Sequence, residues 1–179
     1  MTMIAAWAVL LHRYTREQDI AIGSPIANRQ EAVLEQLIGF FVNSIVIRIQ
    51  VDDESTFRQM VAKVRSTTLE AYAHQDLPFE RLVAELSPER NLNRTPLYQV
   101  AFALQNAPLQ KQRLAELTVE PVRANDLRVR FDLELHAFED GGALELWWVY
   151  NRDLFDPWRI EQMAGHYTRL LETLTRTRR

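Results

Sequence analysis

The sequence predicts an α/β (α+β) domain, a two-layer sandwich in which a mixed, mostly antiparallel sheet is covered by helices. Three observations predict it. Stretches of alternating apolar and polar residues recur, most plainly at 42–51, 97–105 and 129–138. Between them lie stretches with apolar residues at helical spacing, the clearest at 156–174. Finally, 179 residues without an internal repeat, low-complexity tract or linker fit one domain, so residues 1–179 are read as a single unit.

Taken in order, residues 1–11 are apolar but lack the basic start and small-residue cleavage site of a secretory leader. Met3, Trp7, Leu10 or Leu11, and Tyr14 recur at helical spacing instead, so a helix is expected. A chain whose first residue already lies in such a helix is expected to begin mid-domain. Residues 19–23 run into Gly23-Ser24-Pro25, which reads as a buried strand and a turn. One or two helical turns fit 29–37. In 42–51, Ile45, Ile47, Ile49 and Val51 make the apolar face of a strand.

Asp52, Asp53 and Glu54 ahead of Ser55 place negative charge and an N-cap before a long helix. Its expected buried stripe is Phe57, Val61, Val64, Thr68 and Tyr72. A short helix starts near Pro78, which has no N–H to leave unpaired, and runs through Leu82, Val83 and Leu86 to a stop at Ser87-Pro88. Strands follow at 97–105 and 129–138. Residues 143–150 pair back on the latter across Glu139-Asp140-Gly141-Gly142, a strong turn signal. Between them 106–112 reads as a loop and 117–122 as an edge strand. In the final helix Asp156 caps, Pro157 opens, and Ile160, Met163, Ala164, Tyr167, Leu170, Leu171 and Leu174 form the buried stripe.

Composition excludes several functions. Apolar residues make up 47% and charged residues 25%, with a net charge of −3, the balance of an ordinary soluble globular domain. No basic stripe marks a nucleic-acid partner, and no apolar run approaches the roughly 18 residues needed to cross a bilayer. The chain has no cysteine, which removes disulfides, thiolate metal sites and a cysteine nucleophile and fits a cytoplasmic location. His12, His74, His136 and His166 are scattered, with no metal-ligand spacing. A phosphate-cradling glycine loop and a Gly-x-Ser-x-Gly elbow are both missing. His12 and His166 read as boundary residues of helices and His136 as the polar side of a strand. His74 reads as a helix C-terminus favoured by the dipole, running into the next cap. Phe40 and Phe41 after Gly39 fit a core plug, and Asn43 a turn-side hydrogen-bond partner. Residue chemistry alone stops at a globular α/β domain.

Five ordered segments carry a resemblance to a family. Residues 38–48 (Ile-Gly-Phe-Phe-Val-Asn-Ser-Ile-Val-Ile-Arg), 74–80 (His-Gln-Asp-Leu-Pro-Phe-Glu) and 90–97 (Arg-Asn-Leu-Asn-Arg-Thr-Pro-Leu) resemble the late signature motifs of non-ribosomal peptide synthetase condensation domains. Residues 22–29 (Ile-Gly-Ser-Pro-Ile-Ala-Asn-Arg) and 150–156 (Tyr-Asn-Arg-Asp-Leu-Phe-Asp) fit the same picture. The family's active-site motif, His-His-x-x-x-Asp-Gly, does not occur in the sequence. The resemblance therefore implies the C-terminal half of a condensation domain, one of two chloramphenicol-acetyltransferase-like halves that enclose a reaction channel.

It implies a peptide bond formed between aminoacyl or peptidyl groups delivered on phosphopantetheine arms of carrier domains. No cofactor or metal is expected to be bound by this half, no residue of it is expected to be catalytic, and the half alone is expected to be inactive. Ser24 and Asn43 are the expected polar groups facing the thioester arms, and Phe40 and Phe41 the expected channel walls or contacts with the N-terminal half. His74, Asp76, Pro78 and Glu80 are expected to be structural, holding helix ends. Arg48, Arg90 and Arg94 are expected either in internal ion pairs or at the surface. Residues 97–112 and the stretch after them are the candidate bridge to the N-terminal half. Expected partners are that half, peptidyl carrier domains and an adenylation domain, with self-association of the isolated chain through apolar surface. The alternatives are a natural half-domain used for docking and a coenzyme A-dependent acyltransferase.

Overall fold

The computed structural model describes residues 1–86, 94–105, 129–140 and 142–176. The elements run α1 (Thr2–Thr15), β1 (Asp19–Ile26), α2 (Ala32–Glu35), β2 (Asn43–Gln50), α3 (Phe57–Ala73), α4 (Phe79–Leu86), β3 (Val100–Gln105), β4 (Leu133–Asp140), β5 (Ala143–Tyr150) and α5 (Pro157–Arg176). The strands form one mixed sheet in the order β2-β1-β3-β4-β5. Its outer pairs, β1 with β2 and β4 with β5, are antiparallel and have the longer ladders. The central pairs, β1 with β3 and β3 with β4, are parallel. Expectations at 87–93 and 106–128, including Ser87-Pro88, Arg90, most of the bridge and the edge strand at 117–122, lie outside the described residues.

Strand alternation decides the layers. Ile20, Ile22 and Ile26, with Ile45, Ile47 and Ile49 opposite, point to the face packed by α1, α3 and α5, joined by Phe102, Leu133 and Leu135. Trp7 of α1, Trp148 of β5 and Tyr167 of α5 meet there as three rings set almost perpendicular, 5.2–6.0 Å apart. Edge-to-face packing of this kind matches each ring's positive rim to a neighbour's negative face. The Tyr167 hydroxyl donates to the Met3 carbonyl at 2.9 Å.

Several local expectations need correction. Helix α1 is buried on more than one stripe, since Ala5, Ala6 and Ala8 are as inaccessible as Trp7. Packing between sheet and helices on several sides calls for such small residues. No turn forms at Gly23-Ser24-Pro25, and β1 continues to Ile26. Among the described residues it pairs beyond Gly23 with β2 alone, locally an edge where a proline without an N–H is tolerated. The cap of α3 is Thr56, not Ser55. Its hydroxyl accepts from the Gln59 N–H while the Gln59 side chain accepts from the Thr56 N–H, a complete capping box. Met60 joins Val64 and Thr68 in the buried stripe, whereas Tyr72 is exposed. The β4–β5 hairpin forms as expected, Asp140 opposite Ala143, with Gly142 at φ 86°, a conformation costly for a side chain.

Candidate functional site

The segments at 22–48 and 74–80 meet at one end of the sheet, and Asn43 joins them. At the first position of β2, its Nδ2 donates to the carbonyls of Gln75 and Leu77, both at 2.8 Å. Its Oδ1 accepts from the Phe79 N–H at 3.1 Å. An amide supplies two donors and an acceptor on one plane, so one side chain satisfies backbone groups on both sides of Pro78. That includes an orphan N–H at the start of α4. Asn43 is half-buried, and these atoms are committed to the α3–α4 turn. Asp76 adds a second tie, accepting from Gln30 Nε2 at 2.7 Å. His74 is the C-cap of α3, Pro78 accepts the first α4 bonds through its carbonyl, and Glu80 puts a negative charge in the first turn of α4.

Arg29 organises the loop between β1 and β2. Its guanidinium donates to the carbonyls of Leu34, Leu37 and Gly39 and lies 4.2 Å from the Phe41 ring centroid. Held this way, the loop turns apolar side chains outward: Ile38 is 105% exposed and Phe40 90%, with Val33, Leu37 and Val42 beside them. Phe41 is half-buried under Arg29, so the two aromatics have different surroundings. A core plug is therefore the wrong reading for Phe40. Isolated exposed apolar residues are ordinary, but several together mark an interaction edge.

Ser24 is 8% exposed and lies opposite Ile45, on the sheet face packed by helices. Arg48 forms an exposed two-pronged ion pair with Asp19, its Nε 2.9 Å from Oδ1 and its Nη2 2.5 Å from Oδ2. The guanidinium's hydrogen bonds hold the Asp19 carboxyl below its ordinary value. Arg94 is exposed and, with Thr95 and Pro96, borders a shallow recess against Arg130, Phe131 and Asn151. Arg90 lies outside the described residues.

Sequence reasoning missed two histidine sites. His12 is not a boundary residue: it is 3% exposed at the end of α1. Its Nδ1 is 2.7 Å from the Glu17 carbonyl and its Nε2 3.0 Å from Asp53 Oδ1. Both partners are acceptors, so the ring satisfies both only as an imidazolium. The Glu17 carbonyl and the Asp53 carboxylate accordingly raise its pKa. On the face opposite α1, α3 and α5, His136 Nε2 is 3.0 Å from Glu134 Oε2. Burial opposes the Glu134 charge, but His136 and the Arg130 N–H outweigh it and hold the carboxyl below its ordinary value. The Glu134-x-His136 spacing on one strand face was the available signal. Nearby, the Tyr98 ring covers Gly23 so closely that an added Cβ would run into it, and it packs on Phe79 and Phe131. Burial pushes the Tyr98 hydroxyl up.

The family model described as Condensation domain matches residues 1–178. A component of linear gramicidin synthase from Brevibacillus parabrevis is 48% identical over 177 residues, 98% of this chain and 2% of that protein. Chondramide synthase of Chondromyces crocatus is 43% identical over 166 residues, covering 93% of this chain and 4% of that protein. Among solved structures, the X-domain from teicoplanin biosynthesis superposes with a TM-score of 0.86 at 29% identity, over 97% of this chain and 40% of that one. A four-domain nonribosomal peptide synthetase bound to AMP and glycine gives 0.87 at 27% identity, over 97% and 14%. The chain thus spans a small part of the curated relatives it matches.

Proposed function

The chain belongs to the condensation-domain family, and on that premise we propose that it is the C-terminal half of a peptide synthetase condensation domain. Its work is to form one wall of the channel in which an amine attacks a thioester. The observation that carries this reading is 48% identity along nearly the whole chain to a component of linear gramicidin synthase. The exposed apolar edge at Ile38 and Phe40, held by Arg29, suits contact with an N-terminal half that carries His-His-x-x-x-Asp-Gly. Substrates arrive on phosphopantetheine arms of carrier domains in the cytoplasm, with an adenylation domain upstream of the loading step. Among the described residues no helix is long and apolar enough to cross a membrane.

The wall's contribution is orientation. Holding both reactants in line can supply on the order of 7–11 kcal/mol of the barrier, and a positioned acceptor about 10²–10⁴-fold more. Asn43 contributes by fixing the α3–α4 turn, and Ser24 by filling the wall behind it. The test mixes this chain with the N-terminal half of a related condensation domain and with two loaded carriers. Dipeptidyl carrier is expected from the pair and not from either half alone. Turnover by this chain alone, or no complex between the halves, overturns the reading.

A further inference from the structure

On the sheet face opposite α1, α3 and α5, β4 presents Glu134 and His136 side by side. In register, Glu134 is flanked by Ala101 and Val149, and His136 by Ala103 and Trp147. The central strand therefore offers only methyl groups to the pair. Glu134 Oε1 accepts the Arg130 N–H at 3.3 Å and Oε2 faces His136 Nε2 at 3.0 Å. With Nε2–H donating to the carboxylate, Nδ1 is left as a hydrogen-bond acceptor. A carboxylate orienting an imidazole is the arrangement by which a ring is held as an acceptor for a substrate proton. The two side chains are 13% and 25% exposed, sheltered enough to strengthen a charge contact yet still open to a ligand.

We propose that Glu134 and His136 form a binding site for a primary ammonium group on the face of the sheet opposite α1, α3 and α5. The carboxylate matches the positive charge, and His136 Nδ1 accepts an N–H. The pair offers acceptors only, so it favours an amine over a carboxylate or phosphate. The substrate class rests on the channel reading above, in which the amine is that of an aminoacyl thioester.

The experiment titrates the ¹⁵N-labelled 179-residue chain with glycinamide and, separately, with N-acetylglycinamide, following the His136 ring and the β4 amides by NMR. Saturable shifts are expected with glycinamide alone, and Glu134→Gln should weaken binding at least about tenfold, the loss of a charge-assisted contact. His136→Gln, which keeps a polar side chain of similar reach, should weaken it too and serves if the first variant fails to fold. Equal shifts from the acetylated probe, or unchanged glycinamide binding in both variants, overturn the proposal. Amine discrimination by the chain with no peptide formed by the mixed halves would sink the channel reading and leave the site standing. The reverse result would sink the site and leave the channel.

Discussion

The covered face of the sheet and the edge at 27–43 are built by different physics. The covered face is held by area removed from water: Ile22, Ile47, Ile49 and Leu135 are fully buried, each worth about 1.5–3 kcal/mol relative to exposure. The edge at 27–43 buries little, and a few side chains bonded to backbone carbonyls hold it while Ile38 and Phe40 face outward. Hydrophobic packing has no fixed direction, so many sequences can build the first region. Asn43 acts through directed bonds at three backbone atoms, so the second region depends on one residue type.

The largest expected effect breaks the covered face. Trp7→Ala leaves a cavity between Trp148 and Tyr167 and should cost about 3–5 kcal/mol, read as a shifted urea midpoint. A loss below about 1 kcal/mol would contradict the aromatic cluster as the centre of the core. Next comes the edge itself. Asn43→Ala removes three hydrogen bonds at about 0.5–1.5 kcal/mol each, a cost of roughly 2–3 kcal/mol. Amide exchange should accelerate at Phe79, and Asn43→Asp, which keeps only the acceptor, should protect that amide without restoring full stability.

A smaller effect concerns His12, which joins α1 to the turn before α3. Its folded pKa is raised, so the stability it adds is fully present below about pH 6.5 and is lost as pH rises through the folded value. Asp53, held low by the same contact and with Arg13 and Arg16 nearby, stays ionised across that window. The stability gap between the native chain and His12→Gln should therefore narrow from pH 6 to pH 8.5. A gap that widens would mean the ring is neutral at neutral pH. The smallest effect on stability belongs to Phe40→Ser with Ile38→Ser, expected within about 0.5 kcal/mol by thermal melting. The same pair should weaken self-association or binding to an N-terminal half, read by sedimentation. Unchanged association would remove this edge from the interface.

How much of this was legible depends on the range of each interaction. Strand β2, helix α5 and the β4–β5 hairpin were readable because period, an opening proline and turn residues are properties of neighbours in sequence. The site was legible as strings and not as geometry: 38–48 and 74–80 stood out, yet nothing local says that Asn43 reaches Gln75, 32 residues on. His12 looked like a boundary residue because its partner Asp53 lies 41 positions away. Nothing local says that Ser24 lies on the covered face or that Phe40 stands in the open.

By itself the sequence determined most of the elements, the inward set of β2 and the family, because periodicity and short motifs are one-dimensional information. Which face the helices would cover, and that His12 would be buried between the Glu17 carbonyl and the Asp53 carboxylate, was decided only by the tertiary structure. So was the gathering of backbone groups from two motifs around Asn43. Those outcomes depend on distances between segments far apart in the chain, which exist only once the sheet has been assembled.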